Sequence, residues 1–523
     1  MNSPSGDRLF PTRITPFFFP GILTLLFLVA LGVTASHHEF WRDEMQAWLI
    51  ARDVPSLAAL LEQAHYEGAP ALWSLMLRPL ALCTVRPEAM QVLTGILAGV
   101  TVFLFTAFAP FSRLQKALLV LNYYLLFEYG VVCRNYLPGI LALGVACILF
   151  SRAASRPWPF TAALIVAAWA SVHSLIVAVA IAAGFWATQA LQALRQRNDE
   201  SVRASLHLRP LAGLAIGLAG AVYSMLPRSD THYGPAMDWI TAWDVNRLGK
   251  VTWAFVTAYF PTPRPPGYFW IPPWDTPFPS FANPQAFLLA SMLFGAAVFY
   301  FRRHSAALVC YLTGTLGLGA FLYSKYLGFP RHTGFLFLTF FFAYWLKQSE
   351  DRQRAAVQPP EHLVNRAASL VFITMLATQA FTGWWAIRQD FERPFSCGKA
   401  AAAALRARNL DQAFIAVAPD WAGSPLAGYL QRSLYYPQRR DYGSFVGWDT
   451  RREEGITDEE FVSRARAEAG DREIVMALDH PLEETIRAKH GIEFLAHIGG
   501  SLTPFEDYFL HYLPARRQPA TAP

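Results

Sequence analysis

The chain has 523 residues, of which 54% are hydrophobic and only 16% are charged. The apolar residues come in repeated runs of near-spanning length rather than in amphipathic stripes, so the composition excludes an ordinary soluble enzyme and indicates a polytopic membrane protein. The formal net charge of +6 is not a nucleic-acid signature, because no Lys/Arg-rich stretch is interleaved with stacking aromatics.

Hydropathy predicts a polytopic α-helical membrane protein with about 11 transmembrane helices. In chain order we expect spans at 16–35, 69–84, 88–109, 117–133, 136–151, 159–190, 209–226, 284–301, 306–322, 332–346 and 368–387. The second, fourth, fifth and tenth are short for a span. The sixth, 159–190, is long enough to be one tilted helix, a broken helix or two helices.

The first span is followed directly by Phe40-Trp41-Arg42-Asp43-Glu44. A carboxylate pair at the point where a helix leaves the bilayer suggests interfacial chemistry. The preceding His37-His38-Glu39 looks like a metal cluster, but adjacent side chains point in different directions, so we do not expect a metal there.

The segment after the carboxylate pair predicts a helix that lies in the membrane surface. Ser56 is a helix-cap residue, and the apolar residues behind it recur at helical spacing: Leu57, Leu60, Leu61 and Ala64. The stretch His65-Tyr66-Glu67-Gly68-Ala69-Pro70 then turns the chain back. His65 and Glu67 should therefore return to the depth of Asp43, although a turn held by hydrogen bonds would also account for them.

Basic residues in short loops predict the orientation of the chain. The basic loops 195–209, 302–303 and 347–366 fall on one side, which should be cytoplasmic. The N-terminus is then inside, and the loops 36–68 and 227–283 share the outer compartment with everything after about residue 388. The second loop holds proline and aromatics that suit sugar or lipid contact, or equally an interfacial aromatic belt: Tyr233, Trp239, Tyr268, Trp270 and Trp274.

Two further polar stretches interrupt apolar sequence. Glu128-Tyr129 and Arg134-Asn135-Tyr136 border the fourth and fifth predicted spans, whereas residues 323–332 join the ninth to the tenth on the outer side. The span list puts Arg134 nearer the inner face, which would exclude it from an outer site. Lys325 and Arg331 either snorkel to lipid headgroups or form a cationic cradle for a phosphate.

Cysteine and glycine motifs are uninformative. Four cysteines fall in or near predicted spans and only Cys397 lies in the tail, so no disulfide framework or zinc spacing is present. There is no Walker A sequence and no GxGxxG opening a helix after a strand. An activated group must therefore reach the protein in a form other than a nucleotide.

The tail from residue 388 to 523 has the apolar density of a soluble domain. Residues 414–418 and 474–478 read as buried strands, and 398–408, 458–469 and 481–490 read as helices, which predicts a small α/β domain. Pro419-Asp420-Trp421 and the aromatics and carboxylates of 435–449 would suit a sugar acceptor. A domain that only packs over the membrane part and stabilises it is the other interpretation.

Residues 1–387 resemble the GT-C glycosyltransferases, a superfamily that includes protein mannosyltransferases, the aminoarabinose transferases of lipid A and bacterial enzymes of the RgtA/B/C/D-like type. The resemblance depends mainly on Arg42 to Pro70, with its acidic pair, surface helix and return, and on Tyr323 to His332, which ends in Pro-Arg-His. The sequence has Gly68-Ala69-Pro70 where many relatives show a His-Pro-Pro-like turn.

The resemblance implies transfer of a sugar, with inversion, from a polyprenyl-phosphate donor to an acceptor glycolipid, polysaccharide or protein. The reaction would take place on the outer face of the inner (plasma) membrane. Asp43 would be the base that takes the proton from the acceptor hydroxyl, unless it only pairs with Arg42 or caps the surface helix. Glu44 would be a second catalytic carboxylate or a ligand of Mg²⁺ or Mn²⁺, or simply an acidic residue favoured by the helix dipole. The expected substrate-binding residues are His65, Glu67, Tyr323, Lys325, Arg331 and His332.

Two other functions are also compatible with a chain that has many membrane spans and buried cations. One is a flippase or transporter of lipid-linked sugars, which should place its polar residues at the midplane in interrupted helices. The clearest polar residues here lie instead in predicted outer loops. The other is an oligosaccharide ligase or polymerase of the same fold, which differs only in the size of its donor.

Overall fold

The structure is a computed structural model that describes residues 15–195, 207–232, 239–263, 284–354 and 362–516. It consists of a bundle of helices followed by an α/β domain, and we call the side of the bundle that carries this domain the domain side. Of the five aromatics singled out in 227–283, only Trp239 lies in the described ranges.

The helices that precede the α/β domain are named α1 to α15 in chain order. Their bounds are α1 Thr15–His37, α2 Arg42–Asp53, α3 Leu57–Glu67, α4 Leu72–Cys83, α5 Glu88–Phe108, α6 Arg113–Val120, α7 Tyr136–Leu149, α8 Pro157–Ala168, α9 Val172–Arg195, α10 Leu208–Met225, α11 Val245–Tyr259, α12 Pro284–Phe301, α13 Ser305–Ser324, α14 Pro330–Arg354 and α15 His362–Glu392. A π-helix, Tyr124–Val131, lies between α6 and α7.

Seven of the described helices are long and apolar enough to cross a membrane, and three shorter ones are apolar. The seven are α1, α5, α9, α10, α12, α13 and α15. Helix α14 is different, because every residue from 331 to 347 is buried, as expected of a helix that is apolar all round and lies inside a bundle. The chain is a multi-pass membrane protein.

The structure corrects two of the predicted spans and decides between the alternatives for a third, 159–190. Helix α4 replaces the span at 69–84, and its Trp73 and Leu77 share a core with Ala401 and Leu426 of the α/β domain. Because α4 packs into the core of the α/β domain, the prediction of a span there was wrong. The predicted span 117–133 is α6 followed by the π-helix, and 159–190 is the two helices α8 and α9.

These corrections change the side of the bundle on which the loop before α7 opens. Removing one span before residue 88 reverses the direction in which residues 88–151 pass through the bundle, and splitting 159–190 restores the original direction afterwards. The loop between the π-helix and α7 therefore opens on the domain side. Arg134 lies in that loop, so its exclusion from the site was wrong.

The α/β domain is built on one six-stranded sheet in the order β3-β2-β1-β4-β6-β5. The strands are β1 Phe414–Ala418, β2 Leu434–Tyr436, β3 Asp441–Gly443, β4 Ile474–Leu478, β5 Glu493–Ile498 and β6 Tyr508–Leu513. Strand β1 pairs in parallel with β2 and β4, whereas the outer pairings are antiparallel. Both predicted strands, β1 and β4, are confirmed, and every residue in them is buried.

Four helices complete the domain: α16 Gly398–Ala407, α17 Gly423–Leu430, α18 Asp458–Ala469 and α19 Glu484–His490. Three of them confirm the predicted helices, and α17 was not predicted. Helix α18 begins as the sequence indicates, because the Thr457 hydroxyl accepts a hydrogen bond from the backbone N–H of Glu460. The predicted small α/β domain is confirmed.

Helix α2 lies between the bundle and the α/β domain and is bonded to the domain through Gln46. The Gln46 amide donates to the carbonyl of Val446 at 3.0 Å and accepts from the N–H of Val446 and the hydroxyl of Ser424, both at 2.9 Å. All three residues are buried. The domain is thus joined to the bundle by a satisfied polar network, and this network fixes the position of α2.

Replacing Gln46 with alanine should destabilise the docking of the domain. The change leaves the Val446 peptide group and the Ser424 hydroxyl without these partners, and each buried unpaired group costs about 1–3 kcal/mol. We expect a lower melting temperature for purified Gln46→Ala in detergent, followed by tryptophan fluorescence. The matched control is Gln412→Ala, because Gln412 is exposed and its amide donates to the carboxylate of its neighbour Asp411. Equal melting temperatures for the two variants would contradict this account of the interface.

Candidate active site

Asp43 lies in the first turn of α2 with its carboxylate between two arginines. The positive end of the helix dipole favours a carboxylate at this position. Oδ2 of Asp43 is 3.5 Å from Nη2 of Arg134 and 3.5 Å from Nη2 of Arg331. The Asp43 side chain is 32% exposed. It is therefore a carboxylate that a substrate can reach, held by two cations.

The two arginines are themselves held in place. Arg134 also donates from Nη1 to the backbone carbonyl of Asp43 at 2.6 Å. The Arg331 guanidinium lies over two aromatic rings, 5.1 Å from the ring centroid of Trp41 and 4.5 Å from that of Phe329. Stacking of this kind orients a guanidinium and shields it from water, which strengthens its field at a neighbouring anion.

Glu44 is adjacent in sequence to Asp43 but has a different environment. Its side chain has no exposed surface. Oε1 accepts from the backbone N–H of Cys133 at 2.6 Å, and Oε2 accepts from the N–H of Trp41 at 3.3 Å and lies 3.1 Å from Nε2 of His38. Glu44 thus joins the start of α2 to the residue before Arg134, and so fixes Asp43 and Arg134 relative to each other.

His38 connects Glu44 to a third segment of the chain. Its Nδ1 lies 3.0 Å from Oδ2 of Asp390, near the end of α15, and both side chains are fully buried. Burial acts to lower the pKa of His38, but the charges of Asp390 and Glu44 outweigh it and raise the pKa to about 10. His38 is therefore an imidazolium that donates to both carboxylates at neutral pH.

The donor groups near Asp43 and Glu44 do not fit a divalent cation. Among the described residues, no three His, Cys, Asp or Glu side chains are grouped as a metal site. Mg²⁺ and Mn²⁺ prefer carboxylate, carbonyl and water oxygens. Asp43 faces two guanidinium groups and Glu44 faces His38, so each carboxylate already has cationic partners.

Glu67 returns to the neighbourhood of Asp43, as the sequence predicts, whereas His65 is bonded to the end of α10. His65 Nδ1 lies 2.7 Å from the carbonyl oxygen of Leu226, which ties the end of α3 to the end of α10. The Glu67 carboxylate accepts from the side-chain amides of Gln46 and Gln63, both at 3.2 Å. Burial raises the pKa of Glu67 to about 7. Both residues hold α3 in place.

The other predicted binding residues, apart from Arg331, are engaged with the surrounding loops. The Tyr323 hydroxyl accepts from the N–H of Asp244 and donates to the carbonyl of Ala242, both at 2.7 Å. Lys325 Nζ lies 5.4 Å from the ring centroid of Trp239.

His332 completes this set. It is buried, and its Nδ1 accepts from the N–H of Phe329 at 2.8 Å while its Nε2 lies 2.8 Å from the Tyr136 hydroxyl. These contacts orient the start of α14 and therefore Arg331.

Comparisons with known proteins address the fold. No protein-family model matches the chain, and comparison with curated proteins finds no sequence match. Among solved structures, ArnT from Cupriavidus metallidurans bound to undecaprenyl phosphate matches with a TM-score of 0.50 and 12% sequence identity, over 94% of this chain and 97% of that chain. The same ArnT in the apo state matches with a TM-score of 0.47 over the same shares.

The chain has the GT-C fold of ArnT. The match extends over the bundle and the α/β domain, so the expected fold class is confirmed. At this sequence identity the likeness shows the fold alone, and the chemistry of the GT-C site must be argued from the residues of this chain.

Three residues of the site were not predicted: Arg134, His38 and Asp390. Arg134 was visible as an ionisable group beside apolar sequence, and only the wrong direction of the chain excluded it. His38 was dismissed as a metal ligand, and its role as a bridge between carboxylates has no signal in the local sequence. Asp390 is 352 residues from His38, so only the folded chain brings the two together.

The buried histidine predicts a pH dependence of stability. Protonation of His38 stabilises the folded state, and this contribution is present in full below the ordinary pKa of 6.5 and is lost as the pH rises through about 10. We expect His38→Gln to melt below the wild type at pH 7, and to lose less stability than the wild type between pH 7 and 10. Melting of the purified protein across this pH series measures both.

The control for this series is His37→Gln, because His37 is the exposed neighbour on the same helix end. It should follow the wild type at every pH. If wild type and His38→Gln lost stability in parallel between pH 7 and 10, the charged bridge would be disproved.

Proposed function

We propose that the protein is an integral membrane glycosyltransferase that moves a sugar from a polyprenyl-phosphate donor to a hydroxyl of an acceptor. The observation that carries the proposal is the partly exposed carboxylate of Asp43 between Arg134 and Arg331, on the domain side of a GT-C bundle. A base and two cations at one end of a membrane bundle suit a donor whose sugar and phosphate lie at the membrane surface.

A polyprenyl phosphate is the carrier we propose, for two reasons. ArnT, which shares the fold, was crystallised with undecaprenyl phosphate. The residues of this chain also meet the chemical need of such a donor, because guanidinium groups bind phosphate oxygens through paired N–H donors. The basic loops of the sequence put the domain side outside, so we propose that the reaction takes place on the outer face of the inner membrane.

In the proposed reaction, the acceptor hydroxyl oxygen attacks the anomeric carbon from the face opposite the phosphate. Asp43 takes the proton of this hydroxyl. The bond between the anomeric carbon and the phosphate oxygen breaks, and the polyprenyl phosphate leaves with the electron pair. This single displacement inverts the configuration at the anomeric carbon.

Arg134 and Arg331 stabilise the charge that builds up on the departing phosphate. Each guanidinium has five N–H donors and uses only part of them on Asp43, so it can face the carboxylate and the phosphate together. The charge is larger in the transition state than in the bound donor, so fixed cations lower the barrier. In this proposal the two guanidinium groups supply the positive charge that the departing phosphate requires.

The first test is single-turnover transfer by the purified protein in liposomes. A panel of radiolabelled polyprenyl-phosphate sugars is offered with total membrane acceptors to the wild type and to Asp43→Asn. We expect the variant to bind donor normally and to transfer label about 10²–10⁴-fold more slowly, the usual contribution of a general base. Glu62→Gln is the matched control, because Glu62 is an exposed carboxylate on the neighbouring α3 that pairs with Arg228.

The outcomes of this test separate the possible functions. If Asp43→Asn transferred sugar as fast as the wild type, the general base would be a residue other than Asp43. A wild type that carries label across the bilayer without transferring it would be a transporter. Transfer of whole oligosaccharides from longer donors would indicate a ligase or polymerase of the same fold.

A second test addresses the cations. Arg134→Gln and Arg331→Gln should each slow single-turnover transfer about 10²–10³-fold, the usual loss for one transition-state donor. Lys325→Gln should change it little, because the Lys325 ammonium lies against Trp239 rather than Asp43. If Lys325→Gln slowed transfer more than the two arginine variants did, Lys325 would be a phosphate-binding cation, as the sequence predicts.

A further inference from the structure

A row of alternating arginine and aromatic side chains leads from Asp43 to the surface of the α/β domain. Arg331 lies over Trp41, and the Arg42 guanidinium lies 5.6 Å from the ring centroid of Trp41 and 4.6 Å from that of Trp421. The Trp421 ring meets the edge of Phe505, with ring centroids 6.1 Å apart at 76°. Trp421 and Phe505 belong to the domain, and Arg42 is adjacent to Asp43.

Phe505, at the end of this row, is unusual for a phenylalanine in two ways. Its ring is 66% exposed, and its φ of 62° lies in the left-handed region that bulky residues rarely adopt. A strained residue of this kind persists where the surrounding structure holds it, and such residues cluster at functional sites.

The backbone beside Phe505 is fixed to the start of α2. The next residue, Glu506, is fully buried, and its Oε1 accepts from the backbone N–H of Arg42 at 3.0 Å. The exposed ring is therefore held at a set position relative to the helix that carries Asp43.

We propose that Trp421 and Phe505 form a wall that binds a sugar ring of the acceptor. The inference rests on the proposed function and names the chemistry of its second substrate. The negative face of an aromatic ring attracts the polarised C–H bonds of a pyranose, and two inclined rings give a rigid platform for it. The Arg42 side chain, 26% exposed beside the wall, supplies N–H donors for hydroxyl groups. The wall contacts the side chain of Arg42, the residue before Asp43 in the chain.

Phe505→Gly is the decisive variant, because it removes the ring without straining the backbone. Glycine adopts a positive φ freely, so this variant should melt at or above the temperature of the wild type. We expect Phe505→Gly and Trp421→Ala to raise the KM for acceptor about tenfold or more and to leave the KM for donor unchanged. Phe505→Tyr keeps the ring and should behave like the wild type.

Phe494→Ala is the matched control for loss of an exposed ring. Phe494 is 48% exposed on β5, the edge strand of the same domain. Its removal should leave both KM values unchanged. A change confined to the KM for donor in Phe505→Gly or Trp421→Ala would assign the wall to the other substrate and overturn the inference, and so would unchanged KM values.

Direct binding separates this inference from the proposed function. The probe is a panel of methyl hexopyranosides, observed by saturation-transfer NMR on the protein in nanodiscs. Ring protons should be saturated by the wild type and by Phe494→Ala, and not by Phe505→Gly or Trp421→Ala. If the wild type saturates the glycosides in this way but transfers no sugar, the proposed transferase function is refuted, whereas the sugar-binding role of the wall is retained. If the wild type transfers sugar but all four proteins give the same spectra, only the sugar-binding role of the wall is refuted.

Discussion

The candidate site depends on one buried charge network, in which protonated His38 lies between Glu44 and Asp390. Burying charges is costly unless they are paired and hydrogen-bonded, and removing one member leaves the others uncompensated. This network joins the end of α1, the start of α2 and the end of α15, and through Glu44 it also holds the backbone of Cys133. These four segments, among them the start of α2 that carries Asp43, therefore have one relative arrangement.

The same network explains why two neighbouring carboxylates have different roles. Successive residues on a helix point about 100° apart, so Asp43 and Glu44 cannot both face the bundle. The network draws Glu44 inward, where its oxygens accept three hydrogen bonds, and this leaves Asp43 facing the open side with the two arginines. Two adjacent acidic residues thus become an accessible carboxylate, Asp43, and a buried one, Glu44, that holds the surrounding backbone in place.

Much of the fold and part of the site could be predicted from the sequence, and the failures have physical causes. Hydropathy measures the apolar character of a segment and not what covers it, so α4, which packs against the α/β domain, was read as a span. That single error reversed the direction of the chain through Arg134. Asp43 and Arg331 could be named because polar residues beside apolar runs stand out. The pairing of His38 with Asp390 could not, because the two lie on segments that only tertiary packing brings together.

The α/β domain is a structural part of the site rather than an appendage. Helix α2 is held on one face by the bundle, through Glu44, and on the other by the domain, through Gln46 and the bond from Arg42 to Glu506. Burial in this interface raises the pKa of Glu506 to about 7. Because the polar groups of α2 are satisfied from both sides, neither part alone fixes Asp43. The geometry of the carboxylate is therefore a property of the assembled chain.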